Sequence, residues 1–436
     1  MDRERAETYL RLLAEAELRR TTTIAAGSLP GRWRSTRLEL VAQALSAVGA
    51  VGADVADEIQ ADLGLAVAGR YRLSIHGPGR RRSGPAPRRA SCRIVPAGQV
   101  IKIRNDDLRG ELLVVAYAQS AGGARLIVVG RPFPPFAAAD DQGISYQITW
   151  SGRHTASELL LRPDPPHQIR WLEFTGAVEA ATRLDLGRQI RGPDVTVTPA
   201  AHSPGELLLE VIAARILSLV AYRLRDNPGP LTASADLRAY IGDGPGHIAA
   251  ALHAAGLLPS DSPAPGQLAG LCARLGIEGH GITAPPDGDL PERWQSMLTP
   301  PRRRTPQPRP APGILAATVA ELPGPDGAKI AIAGLTHGLH HGEPRTIMHL
   351  LASGVALEDD WKFARGVIPL PVLWIRDSND RWHTTRTDGV SPWRDSGLVT
   401  LWLEIVPPLE RGTAWIEISA AGPSAQARVT LPLSSQ

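Results

Sequence analysis

Residues 165–174 read PPHQIRWLEF, and residues 407–418 read PPLERGTAWIEI. Each stretch opens on a proline pair and runs into a tryptophan followed by alternating apolar and charged residues. In Trp415-Ile416-Glu417-Ile418 the alternation puts Trp415 and Glu417 on one face of an extended strand and Ile416 and Ile418 on the other, because successive strand side chains point to opposite faces. A further strand-like run follows each stretch, TRLDL at 182–186 and ARVTL at 427–431. Upstream, Asp141 precedes Tyr146 by five residues, as Asp377 precedes Trp382. Further out, ALSAVGAV at 44–51 faces ALHAAGLL at 251–258. The features recur in the same order, so the chain reads as one unit written twice.

The β part of each unit is a series of short runs rich in β-formers, separated by turn residues. In the first they are Val100–Arg104, Glu111–Ala118, Arg125–Val129, Ser145–Trp150, Glu158–Leu161, Ile169–Phe174 and Arg183–Leu186. In the second they are Lys329–Ala333, Thr346–Leu351, Val372–Arg376, Arg381–Thr385, Leu398–Ile405, Ala414–Ser419 and Ala427–Leu431. Strands of this length and spacing predict an antiparallel, immunoglobulin-like β-sandwich. Before each β part lies helical patterning. Arg3–Arg20, Leu38–Val48 and Val55–Val67 make the first set. Glu206–Leu224, Ala235–Tyr240, His247–Ala255 and Gln267–Leu275 make the second, with Gly49 and Gly256 as helix stops. The expected architecture is therefore α+β and multidomain: a tandem duplication of a small helical bundle followed by a sandwich. The boundaries are bundle 1 at 1–75, an Arg/Pro linker at 76–91, sandwich 1 at 92–190, bundle 2 at 203–283, a Pro/Arg linker at 284–313 and sandwich 2 at 314–436.

The composition suits a folded protein, with 43% hydrophobic and 21% charged residues. Only Lys102, Lys329 and Lys362 are lysines, which limits the candidates for Schiff-base or phosphate-cradling chemistry. The net charge of +3 is concentrated: residues 76–93 and 299–313 carry ten arginines and no acid, and without them the balance turns acidic. A broad basic footprint on a folded surface is not what this distribution describes. Two cysteines, Cys92 and Cys272, exclude a disulfide framework. The first residues lack an apolar signal core, and Glu210, Arg215 and Arg223 interrupt the most apolar stretch, Leu207–Leu224. The expectation is a cytoplasmic protein with no membrane association.

Five features carry candidate chemistry. His337, His340 and His341 are the densest group of possible metal ligands, with Glu343 and His349 nearby; Gly338 and Gly342 place them in a hairpin tip. The acid pairs Asp106/Asp107, Asp140/Asp141 and Asp359/Asp360 sit in turns, where aspartate is favoured for local hydrogen bonding. Arg80, Arg81, Arg82, Arg88, Arg89, Arg302, Arg303 and Arg304 offer contacts to phosphate or nucleic acid. Ser91 and Thr305 follow basic residues in the manner of phosphorylation sites. Six of the ten tryptophans lie after residue 360, and Trp382, Trp393 and Trp402 are expected to anchor a partner.

Other motifs fail. Gly242-Asp243-Gly244-Pro245-Gly246-His247 lacks the third glycine of a dinucleotide loop, and there is neither a GxxxxGK[ST] loop nor a GxSxG elbow. The helix pair of helix-turn-helix length, Leu38–Val48 and Val55–Val67, puts Asp57, Glu58 and Asp62 on its second helix, and the counterpart Gln267–Leu275 carries only Arg274. The expected function is a non-enzymatic adapter or regulatory protein that binds a protein partner and needs no cofactor. The alternatives are a nucleic-acid-associated regulator using the arginine linkers and a metal-dependent enzyme centred on His337, His340 and His341.

Overall fold

The computed structural model describes Glu4, Glu7 and residues 92–434 apart from internal stretches, the longest being 227–243, 300–312 and 354–371. Glu4 and Glu7 are helical; the rest of bundle 1 and the whole linker at 76–91 lie outside the described residues.

The first β region is one eight-stranded antiparallel sheet. In chain order its strands are β1 (Arg93–Asn105), β2 (Leu108–Ser120), β3 (Gly123–Val129), β4 (Ala137–Asp140), β5 (Ser145–Ser151), β6 (Ala156–Arg162), β7 (Trp171–Thr175) and β8 (Thr182–Asp185). In space they run β1-β2-β3-β6-β5-β4-β7-β8. The sheet curls until its two edges meet. Ile103 of β1 bridges Val178, the Glu179 N–H donates to the Lys102 carbonyl, and the Arg93 guanidinium reaches the carbonyls of His167, Ile169 and Leu186. Tyr117, Tyr146, Phe174, Leu112 and Leu126 fill the inside.

The second region adds β9 (Val195–Pro199), β10 (Gly313–Ala316), β11 (Ala320–Pro323), β12 (Lys329–His340), β13 (Glu343–Ser353), β14 (Val372–Asp377), β15 (Trp382–Trp393), β16 (Leu398–Val406), β17 (Trp415–Ala421) and β18 (Ala425–Pro432). Its order is β10-β12-β13-β16-β15-β14-β17-β18-β9, with β11 also paired to β12. β10 and β11 take the place beside β12 that β1 takes beside β2. Counted that way, the strand order of the first sheet is repeated from end to end, and β9 caps the far edge. β16 is buried along its whole length because both faces are covered. Val399, Leu401, Leu403 and Ile405 face the inside of their own sheet, while Leu398 packs against Val115, Ala116 and Ile127 of the first.

Among the described residues, four helices lie between the two sheets in the chain: α1 (Pro204–Asp226), α2 (Gly244–Ala254), α3 (Ala264–Arg274) and α4 (Glu292–Leu298). Ser203 and Glu206 form a reciprocal capping box ahead of α1, with Pro204 at the first helical position. The Ser262 hydroxyl donates to the second Glu206 oxygen at 2.7 Å, which ties the start of α3 to α1. Burial alone would raise the Glu206 carboxyl, but the Ser203 N–H and the Ser262 and Ser203 hydroxyls outweigh it and hold it below the ordinary carboxylate value. The helices share one apolar core with Val372, Trp374 and Val406 of the second sheet. Arg293 and Trp294 of α4 both bond Glu210 of α1, and the Arg293 guanidinium lies 5.4 Å from the Trp374 ring.

The expected architecture is thereby corrected. Among the described residues the chain is mostly β, built on two large curled antiparallel sheets with four helices between them in sequence, and not on repeated bundle-plus-sandwich units. The second helical segment is a layer on the second sheet, because its apolar surface has sheet residues as partners. The segment assigned to a stiff linker at 284–313 contains α4, whose Trp294 is buried. β9 comes from the stretch between the expected sandwich 1 and bundle 2, and joins the second sheet.

Candidate functional site

The two sheets meet face to face through a small apolar patch and a buried polar cluster. Glu158 stands on β6 in the run ASELLLR as its one acid before Arg162, and its side chain is fully buried. Arg125 of β3 forms an ion pair with it. Two residues of the second sheet complete the cluster. The Ser391 hydroxyl donates to one Glu158 oxygen at 2.8 Å, and the Trp393 indole N–H donates to the other at 3.1 Å and to Thr400 Oγ1 at 2.9 Å. The Arg125 guanidinium stacks 4.4 Å from the Trp393 ring centroid. A buried carboxylate with its acceptor sites filled from two sheets is a geometric lock, since a charge in such a place is tolerated only when paired and hydrogen-bonded. Nearby, Gly334 lets β12 approach β2: a Cβ there would lie 2.6 Å from Val115 Cγ1 and 2.8 Å from the Ala316 carbonyl oxygen.

The lock fixes two outward faces. β7 opens Trp-Leu-Glu and β17 opens Trp-Ile-Glu. In each, the middle residue is buried and the tryptophan and glutamate face outward, the alternation expected of a strand with one covered face. Trp415 is 36% exposed. Trp171 is half-buried beneath the exposed Arg183, whose guanidinium lies 3.8 Å from its ring. Glu417 pairs with Arg428 at 3.7 Å.

A third place is a cavity of about 180 Å³ at one end of the second sheet, lined by His337, Leu315, Leu433 and the 409–414 turn. His337 is 6% exposed, and burial pushes its imidazole below the ordinary histidine value. Its Nδ1 lies 3.1 Å from Thr346 Oγ1, and the same hydroxyl oxygen accepts the Leu409 N–H at 3.1 Å. Behind it, His349 is fully buried with Nε2 2.9 Å from Thr336 Oγ1, and burial pushes it down to about 3.

The turns after β4 and β14 match in detail. Asp140 Oδ1 accepts the N–H groups of Gln142 and Ile144, and the Tyr146 hydroxyl donates to Oδ2 at 2.5 Å. Asp377 Oδ1 accepts those of Asn379 and Arg381, and His383 Nε2 faces Oδ2 at 3.5 Å while Nδ1–H donates to the Pro407 carbonyl. Burial alone would raise Asp377, but the His383 ring and the Arg381 and Asn379 N–H groups hold it below the ordinary carboxylate value. Burial, and then the Asp140 hydrogen bond, push the Tyr146 phenol up. The spacing is six residues, Asp140 to Tyr146 and Asp377 to His383. The five-residue match of Asp141 with Tyr146 and Asp377 with Trp382 was one place out in the first turn and one residue short in the second.

β12 and β13 form the expected hairpin, with His340 opposite Glu343 at its end, but His337 lies three residues down the strand rather than in the tip. His337 and His340 belong to β12, Glu343 begins β13, and His341 lies outside the described residues. Among the described residues no three His, Cys, Asp or Glu side chains come together in a metal-holding arrangement. Trp393 is buried in the lock. Trp402 is 4% exposed against Ile347 and Gly389, and Trp382 is half-buried against the helical core. Arg80, Arg81, Arg82, Arg88, Arg89, Arg302, Arg303, Arg304, Ser91 and Thr305 all lie outside the described residues, as do Asp106/Asp107 and Asp359/Asp360. Sequence reasoning passed over Glu158 and Arg125. Their signal was a charge on each of two adjacent, otherwise apolar strands, which is costly unless the two meet.

No protein-family model, curated protein or solved structure matches this chain.

Proposed function

We propose that the chain is a non-enzymatic cytoplasmic adapter that holds a protein partner against the outward faces of its two β regions. The observation that carries this reading is the pair of Trp-x-Glu faces, Trp171/Glu173 and Trp415/Glu417, placed on corresponding strands of sheets locked together through Glu158. Tryptophan at a surface is a strong anchor, because one ring buries a large area at little entropic cost. Two anchors in fixed relation make the second contact intramolecular and raise avidity without any new contact. Free thiols at Cys92 and Cys272 suit a reducing compartment. Among the described residues no helix is long and apolar enough to cross a membrane.

The test is capture of the tagged full-length chain from its native cells after nuclease treatment, with the co-purifying species identified by mass spectrometry. A stoichiometric protein that survives nuclease, and is lost from a Trp171→Ser, Trp415→Ser double variant, is the expected result. Partners that vanish with nuclease, or turnover of a small molecule with no protein bound, would overturn it.

A further inference from the structure

The matched turns after β4 and β14 differ in the side chain that closes them. In the first sheet the Tyr146 hydroxyl donates to Asp140 Oδ2 at 2.5 Å, and burial keeps that phenol protonated through the neutral range. In the second, His383 stands in the place of the tyrosine, and histidine titrates where tyrosine does not. Its Nδ1 carries a proton, because the partner at 2.7 Å is the Pro407 carbonyl oxygen, which can only accept. The contact with Asp377 therefore depends on Nε2 alone. With Nε2 protonated, an imidazolium faces the carboxylate at 3.5 Å; without that proton, a lone pair faces it. The two side chains are 1% and 0% exposed, and neither Nε2 nor Oδ2 has a hydrogen-bond partner elsewhere. A buried carboxylate oxygen left without a donor is costly. The charges around the pair are engaged in other contacts. Arg381 of the same turn pairs with Glu410, Arg376 of β14 with Asp380, Arg293 of α4 with Glu210, and Glu404 of β16 with Arg345 and Arg386, while His337, behind the 409–414 turn, is pushed by burial toward its neutral form. Asp377 itself is held below the ordinary carboxylate value, so it stays ionised at neutral pH and the ring is the member of the pair that titrates. Four contacts run from this turn to residues 407–415: His383 to the Pro407 carbonyl, Arg381 to Glu410, the Ala414 N–H to Ser378 Oγ at 2.9 Å, and the Ser378 N–H to the Trp415 carbonyl at 3.1 Å.

We propose that Asp377 and His383 form a proton-operated latch, closed while His383 Nε2 carries a proton and released as pH rises through the histidine range, so that the 407–414 turn and the start of β17 loosen while the matching end of the first sheet, closed by Tyr146, does not respond. The latch stands on the geometry of the two turns and does not need the adapter reading. If that reading holds, Trp415 is the pH-sensitive anchor of the two and Trp171 the constant one.

The experiment is amide hydrogen exchange on the full-length protein at pH 6 and pH 8.5, corrected for the intrinsic pH dependence of exchange and read on peptides covering 377–383 and 407–414, with 140–146 as the internal control. It is repeated on His383→Tyr, which copies the first turn, and on Asp377→Asn, which removes the charge the imidazolium faces. The expected result is that protection at 377–383 and 407–414 falls at least fivefold between the two pH values while 140–146 changes less than twofold. In His383→Tyr the fall should vanish, and in Asp377→Asn protection should be low at both pH values. A second-sheet end as indifferent to pH as the first would overturn the latch in the wild type alone, whether or not either variant folds. A fall that persists in His383→Tyr, or at full size in Asp377→Asn, would overturn its assignment to this pair.

Discussion

Replacing Glu158 by Ala removes an acceptor that three donors share. Arg125, whose side chain is 11% exposed, is left as a buried cation facing no carboxylate. Ser391 loses its acceptor, while Trp393 keeps Thr400. Removing one member of a buried ion pair costs about 3–5 kcal/mol, because the remaining charge is stranded. Against a total folding stability of about 5–15 kcal/mol that is a large fraction. The double variant Arg125→Leu, Glu158→Leu strands no charge and leaves only the Ser391 hydroxyl short of a partner, so its deficit should be about 1–2 kcal/mol. The assay is urea denaturation followed by tryptophan fluorescence on the wild type, Glu158→Ala, the singles Arg125→Leu and Glu158→Leu, and the double. The ion-pair argument expects the double variant to be more stable than Glu158→Ala. Losses that simply add, or a Glu158→Ala cost under about 1 kcal/mol, would refute the lock.

Three further outcomes follow from buried groups. His349 is neutral in the fold, pushed down to about 3, whereas an unfolded histidine takes up its proton near pH 6.5. Its contribution is therefore fully present above pH 6.5 and is lost as pH falls toward 3; between pH 6.5 and 5 the wild type should lose between about 1 and 2 kcal/mol more than His349→Phe in parallel denaturation curves. Burial pushes the Cys92 and Cys272 thiols up to about 12, so neither should react with a thiol reagent at pH 8 until urea unfolds the chain, and labelling of the native protein at free-cysteine rates would contradict this. Gly334→Ala drives a Cβ against Val115 and the fixed Ala316 carbonyl, and should lower stability by about 1–3 kcal/mol in the same urea assay, with no loss if β12 and β2 are not in contact.

Much of the secondary structure was written locally and was legible. Every expected strand from Val100 to Leu431 appears in the sheets, several of them longer, because β-formers bounded by turn residues act at short range. β4, with the weak β-former run AAAD, was missed, as were β9, whose VTVTP sits in a segment taken as a connector, and the short β10 and β11 ahead of Lys329. What the residues did not disclose was pairing. The same strands fit a sandwich or one curled sheet, and the choice is made by edge contacts such as Arg93 on Leu186, 93 residues away. The helical layer was misread for a related reason. Leu207–Leu224 shows an apolar surface, but nothing local says that Trp374 and Val406 cover it. At the sites, His337 was found as a chemical type and misplaced, since Gly338 and Gly342 suggested a loop where β12 continues. Trp393 was noticed for its size, and its partner Glu158 lies 235 residues away.

The adapter account stands on two tryptophan faces acting together across a rigid junction. The measurement that meets it most directly is the affinity of the captured partner for the full-length protein and for Trp171→Ser, Trp415→Ser and Glu158→Ala, compared under one set of conditions. The account predicts that each tryptophan variant weakens binding at least tenfold and that Glu158→Ala, which loosens the junction while leaving both faces intact, weakens it as well. Unchanged affinity in both single tryptophan variants would contradict it.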